Sequence, residues 1–86
     1  MLAGLLEVRG LGIVRLPYRA AATLCLAVEL VAVGGEGPRL PMPRRHPNLD
    51  LPLIAVDPER ASAARRIGMA LDCALGRVAQ LAGAFA

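Results

Sequence analysis

The sequence predicts an α/β fold, a small mixed sheet followed by one long C-terminal helix. Three observations carry that expectation. Short apolar runs alternate with period two, and each is cut off by Gly or Pro. Beyond residue 57 the apolar spacing becomes helical, with Ile67, Leu71, Ala74, Leu75, Val78 and Leu81 on one stripe. Between the two regimes, Asp57-Pro58-Glu59 has the order of a helix start: an N-cap acid, Pro at the first helical position, an acid in the first turn.

Taken in order, Met1 to Gly4 read as a lead-in left over from a longer segment. Leu5 to Arg9 form the first strand. Alternation puts Glu7 and Arg9 on one face and turns Leu6 and Val8 toward a core. Gly10 to Pro17 are the turn and its exit, with room for a second short strand at Gly12 to Arg15. Residues 17–22 cross over as a loop or a single helical turn. Leu24 to Val33 is the clearest strand. Leu24, Leu26, Val28 and Leu30 lie on one face, and Cys25, Ala27, Glu29, Val31 and Val33 on the other, so both faces call for cover and the strand is expected to be central. Gly34-Gly35-Glu36-Gly37-Pro38 ends it. Residues 38–50 are a proline-rich loop carrying Arg39, Arg44, Arg45 and His46, and Leu51 to Val56 is a third strand. The helix then runs from Asp57 to about Ala82, with Gly68 and Gly76 each weakening it by roughly 1 kcal/mol relative to Ala.

Composition excludes several function classes. Eighty-six residues make at most one small domain, and with no Trp, one Tyr and one Phe its core must be built from Leu, Val, Ile and Ala. An apolar fraction of 56% argues against disorder. The net charge is +3, and all ten basic residues are Arg. Single-stranded nucleic-acid binders need aromatic stacking platforms, so Arg44, Arg45 and His46 read as a solvated basic loop and no nucleic-acid partner is expected. The stretch from Ala20 to Gly35 is too short for a span of roughly 20 apolar residues and holds Glu29 inside it. With no targeting segment in view, no membrane association is expected, and a soluble, cytoplasmic chain is. Cys25 and Cys73 have no metal-type spacing and read as reduced, buried small hydrophobes. Ser62 is the only serine and falls in the helix, which leaves no candidate serine nucleophile, and His46 has no partner at suggestive spacing.

The most informative stretch is Leu5-Leu6-Glu7-Val8-Arg9-Gly10-Leu11-Gly12-Ile13. From the residues alone it is either a charged pair at a strand end beside a glycine turn, where open α/β sheets keep their chemistry, or a surface hairpin with solvated charges. The string resembles the signature of the HPr kinase/phosphorylase family, in which a P-loop domain phosphorylates a serine of the phosphocarrier protein HPr. The resemblance covers the second half of that catalytic domain and is closest to its compact, short-form members. It implies that residues 1–86 are the C-terminal part of a P-loop kinase domain whose P-loop half is absent. It further implies a metal-binding role for Glu7 on Mg²⁺, catalytic roles for Arg9 and Arg39, and close backbone approach to the cofactor at Gly10 and Gly12. ATP and Mg²⁺ are then the cofactors of the complete enzyme. An HPr-like protein is its substrate, and a homo-oligomer, commonly a hexamer, is its assembly. The long-form enzymes carry a Gly-Arg-Asn loop tied to phosphorolysis where this chain has Asp57 to Ser62, which puts the reverse reaction in doubt. The competing expectation is a stand-alone, non-enzymatic module that binds an HPr-like protein or a kinase subunit.

A P-loop needs a lysine that reaches the β- and γ-phosphates, and this chain has none. The isolated 86 residues are therefore expected to be inactive and to need no cofactor. ATP and Mg²⁺ at millimolar concentration should leave the melting temperature unchanged, since only ligands that bind the native state raise it. A saturable upward shift in a thermal melt would overturn this expectation.

Overall fold

The computed structural model describes residues 3–86; positions 1 and 2 of the expected lead-in lie outside them. The chain turns back on itself at once. Strands β1 (Leu5–Val8) and β2 (Gly12–Arg15) form an antiparallel hairpin in which Leu5 faces Arg15 and Val8 faces Gly12. The tight turn is closed by the Leu11 N–H donating to the Val8 carbonyl at 2.9 Å. Gly10, third in that turn, has φ 83°, the left-handed value that a type II turn requires and that L side chains resist.

After a non-repetitive crossing, β3 (Ala27–Leu30) pairs in parallel with β4 (Leu53–Val56), Ala27 against Leu53 and Leu30 against Val56. The connection between them includes the 38–50 loop, which folds on its own hydrogen bonds. Arg45 Nε donates to Asp50 Oδ1 at 2.7 Å, and His46 Nδ1 accepts from the Asn48 and Leu49 N–H groups, both at 3.2 Å. Helix α1 (Ala63–Ala74) then packs on β4. Among the described residues, the buried apolar side chains are Val56 of β4 and Ala70 of α1.

The architecture is thus α/β, but it differs from the expected layout in three ways. The single mixed sheet is instead two two-stranded sheets, one antiparallel and one parallel. The strand expected to be central is a four-residue edge strand. No strand lies beyond β3 among the described residues, and Leu30 is 66% and Val33 83% exposed. The helix is 12 residues long rather than reaching Ala82.

Both helix ends have a local cause. Asp57 does not cap the helix. Its Oδ1 accepts the Glu59 N–H at 2.9 Å and its carbonyl accepts the Arg60 N–H at 3.2 Å, which closes a turn instead. The N-cap falls on Ser62, whose side chain makes no capping bond. At the other end, Gly76 takes φ 75°. Its N–H donates to the Cys73 carbonyl at 3.1 Å and the Arg77 N–H donates to the Asp72 carbonyl at 2.9 Å. That pair of bonds is the Schellman arrangement, which stops a helix at a left-handed glycine. Gly76 is a terminator, not a weak interior position, so Val78 and Leu81 fall outside the helical stripe. Cys25 and Cys73 are both free and half-buried. No helix of the described residues is long and apolar enough to cross a membrane.

The surface area shows how little of this chain is covered. The structure exposes 7080 Å², whereas a folded monomer of 9.0 kDa exposes roughly 4,900 Å². The radius of gyration is 15.0 Å, against about 12 Å for a compact domain of this length. Core substitutions should therefore be felt sharply where a core does exist. Val56→Ala should cost about 2 kcal/mol, while Leu81→Ala, at a position 95% exposed, should stay within about 0.5 kcal/mol. Urea unfolding followed by circular dichroism gives both values, and equal losses would contradict the assignment of the core.

Candidate functional site

A cleft of about 640 Å³ lies between the 37–41 segment, β4, α1 and the C-terminal tail. It is lined by Arg39, Arg60 and Arg66 together with apolar side chains that include Ile54, Met69 and Phe85. One carboxylate organises it. After β3 the chain reverses in a turn closed by the Gly35 N–H donating to the Ala32 carbonyl at 2.9 Å. This brings Glu36 onto the β4–α1 connection. Its Oε1 meets Arg60 Nε at 2.6 Å, and its Oε2 accepts from Arg66 Nη1 at 2.8 Å and from the Asp57 N–H at 3.1 Å. The Glu36 side chain is 13% exposed, while the two arginines remain half-exposed.

The Asp57 backbone N–H, then the charges of Arg66 and Arg60, hold the Glu36 carboxyl below the usual carboxylate range against the opposing effect of desolvation. Two of the three bridged positions, Arg60 and Arg66, keep guanidinium N–H groups beyond those that Glu36 uses. Arg39 has no acidic partner within 4 Å among the described residues. The cleft therefore has three guanidinium groups against one carboxylate, a surplus of positive charge suited to phosphate oxygens, which guanidinium groups bind two at a time.

The residues singled out from the sequence divide between two places. Arg39 lines the cleft. Glu7 lies on β1 opposite Ile13 and is exposed; Arg9 lies beyond the strand in the hairpin turn, also exposed. β1 ends at Val8, one residue short of the expected strand, so Arg9 belongs to the turn. Leu6, expected to point into a core, is 50% exposed, because the hairpin has no layer against that position. Gly10 and Gly12 have φ 83° and 123°, and a Cβ at either would meet no atom within 4 Å. The hairpin's backbone geometry is thus sufficient reason for both glycines. None of the hairpin residues lines the cleft.

For the Mg²⁺ that the resemblance implies, Glu7 is a fitting donor. It is a hard oxygen ligand, exposed, and without a basic partner within 4 Å among the described residues. A single carboxylate is enough when substrate phosphates and water complete the shell. Sequence reasoning missed Glu36, Arg60 and Arg66 as a group. The available signal was one acid isolated among glycines, in Gly34-Gly35-Glu36-Gly37, where a turn residue carries a charge that needs a partner. No family model, curated protein or solved structure matches this chain.

A pH dependence follows from Glu36. Its folded-state pKa is depressed, so its stabilising effect is complete above the ordinary glutamate value of about 4.3 and is lost as pH falls through the lower folded value. Glu36→Gln should lower the urea midpoint at neutral pH, and the gap to the wild type should close only as pH falls through the lowered folded-state pKa of Glu36. Parallel pH profiles for the two proteins would show that the carboxylate carries no such linkage.

Proposed function

We propose that this chain is the C-terminal part of an HPr kinase/phosphorylase-type catalytic domain and works only when joined to a P-loop-bearing segment. The uncovered surface carries this reading: 7080 Å² is exposed where roughly 4,900 Å² suffices for a self-contained monomer. The chemical identity rests on the Leu5–Ile13 string, which includes both charges and both glycines of the family signature. The reaction is transfer of the ATP γ-phosphoryl group to a serine of an HPr-like phosphocarrier in the cytoplasm, in regulation of sugar phosphotransfer, by a homo-oligomeric enzyme.

In this reading each residue has a task set by its chemistry. Glu7 would hold Mg²⁺ through its carboxylate, and the bound ion would neutralise phosphate charge. Arg39 grips oxygens of the phosphoryl group in flight, and its planar fork stabilises charge spread over those oxygens. Arg9 adds a second positive charge beside the turn. The backbone at Gly10 and Gly12 can approach the cofactor with no side chain between. Arg60 and Arg66, bridged by Glu36, raise the positive potential of the cleft that Arg39 shares. The competing module reading leaves the same surface to be covered by an HPr-like protein instead, with no chemistry performed.

The test joins the chain to the P-loop-bearing half of an HPr kinase/phosphorylase catalytic domain and measures ATP-dependent phosphorylation of HPr. Activity should appear only with both parts present. Glu7→Gln should then reduce it on the order of 100-fold, the size of a few kcal/mol of lost metal-centred charge stabilisation, without changing the circular dichroism spectrum. Binding of HPr by the 86-residue chain alone, with no activity in the joined protein, would favour the module.

A further inference from the structure

The parallel pair is unfinished on one side, and its hydrogen bonds show which. The Ala27 N–H donates to the Pro52 carbonyl at 2.9 Å and the Val31 N–H to the Val56 carbonyl at 3.0 Å. Ala27, Glu29 and Val31 therefore present their peptide groups to β4. With period two, Leu26, Val28 and Leu30 turn theirs the other way. No strand lies on that side among the described residues. The far edge of β4 is different. There the Leu53 N–H donates to the Arg44 carbonyl at 3.0 Å and the His46 N–H to the Leu51 carbonyl at 2.8 Å, so the 44–46 segment covers its start.

The bare edge also lacks the usual protection. Solvent-facing edge strands carry lysines, prolines or bulges that keep other strands away. From Leu24 to Val33 there is no Pro and no Lys, and the one charge, Glu29, is drawn toward Arg44 at 3.6 Å. Leu30, whose peptide faces outward, is 66% exposed.

We infer that the edge of β3 pairs antiparallel with β3 of a second copy, about a two-fold axis through Val28. The inference needs only this chain and stands apart from the function proposed above. In this register Val28 lies opposite Val28 of the copy, and Leu26 opposite Leu30. The outward N–H and C=O groups from Leu26 to Leu30 then meet their counterparts. The side chains so paired are all aliphatic, and such cross-strand pairs stabilise a sheet. Glu29 falls opposite Ala27, whose methyl group leaves the carboxylate free to keep Arg44.

The neighbouring registers fail for separate reasons. An axis through Glu29 sets the two Glu29 carboxylates directly opposite, and like charges so placed are destabilising. An axis through Leu30 calls on Ala32, where the chain already turns back and the carbonyl accepts the Gly35 N–H at 2.9 Å. Axes nearer the N-terminus set Leu30 against Leu24 or Ala22, which precede the ladder with β4. Pairing through Val28 joins two two-stranded units into one four-stranded sheet in the order β4-β3-β3-β4. Two strands by themselves are marginal in water. The surface needed is at hand. The chain exposes 7080 Å², roughly 2,200 Å² more than a self-contained monomer of its mass, and a standard interface takes roughly 800 Å² from each partner.

Sedimentation of the 86-residue chain from micromolar to millimolar concentration measures its mass. Amide hydrogen exchange by NMR on the same samples locates the contact. The mass should rise from 9.0 kDa to twice that value. In the dimer the Val28 and Leu30 amides should exchange at least tenfold more slowly than in dilute chain. That gain should exceed the one at Glu29 and Val31, which are already bonded to β4. In a mixture of isotope-labelled and unlabelled chain, an NOE between copies should join the α-protons of Ala27 and Glu29, which face each other in this register. Leu30→Pro removes only an outward N–H, which an edge strand tolerates, so it should keep the circular dichroism spectrum and hold the chain monomeric. A chain still monomeric at millimolar concentration overturns the proposal, as does a folded Leu30→Pro variant that dimerises like the wild type. A dimer in which Val28 and Leu30 exchange at their dilute-chain rates, or whose NOE joins Glu29 to Glu29, overturns it as well. If Leu30→Pro loses its spectrum, exchange and NOE in the unaltered chain decide between these outcomes.

Discussion

β4 is the strand against which the larger part of the chain is arranged. β3 lies along one of its edges, the 44–46 segment bridges the start of the other, and α1 rests on it. The two deepest apolar side chains, Val56 and Ala70, come from β4 and from the helix packed on it. The chain leaves β4 directly through Asp57, which is 3% exposed and donates its N–H to Glu36. The ordering of the cleft is therefore a consequence of where β4 ends. Glu36 can bridge Arg60 and Arg66 only because the turn after β3 and the start of the helix region converge at that end.

The same strand also shows what the chain cannot supply for itself. Burying a sheet takes apolar area on both faces, and this sequence has one Phe, one Tyr and no Trp with which to provide it. Large side chains such as Leu11, Ile13, Leu30 and Val33 are left more than 60% exposed. Small domains are already marginal because they bury a low fraction of their surface, and here the fraction is lower still. The surface that a monomer would hide is instead available to a partner.

Two sets of candidate residues occupy different parts of this frame. The exposed hairpin holds Glu7, Arg9, Gly10 and Gly12, and the cleft holds Arg39 with Arg60 and Arg66. Phosphoryl transfer asks for positioning and for positive charge around phosphate oxygens rather than for covalent chemistry. The hairpin carries an exposed carboxylate and the cleft carries three arginines, the two kinds of charge on which the proposed function rests.

Local chemistry was legible in the sequence wherever a few neighbouring residues decide the outcome. The α/β class, the break at Gly34 to Pro38, the short strand at Gly12 to Arg15 and the strand before Asp57 all follow from period-two alternation and from turn residues. The Glu7-to-Gly12 stretch was readable as either a strand-end site or an exposed hairpin, and the backbone took the hairpin. The helix boundaries were misread because two local devices competed with the apolar stripe. The Asp57 side chain closed a turn rather than a cap, and Gly76 adopted the left-handed conformation that stops a helix, although Val78 and Leu81 continued the pattern. The convergence of Glu36 with Arg60 and Arg66 was beyond reach, since residues 24 and 30 positions apart meet only through the path of the chain around β4. By itself the sequence determined which segments are strands, which are turns and which charges were available. Tertiary structure alone decided which charges meet and which edge stays bare, because both depend on what packs against β4, and pairing between distant segments leaves no period in the chain.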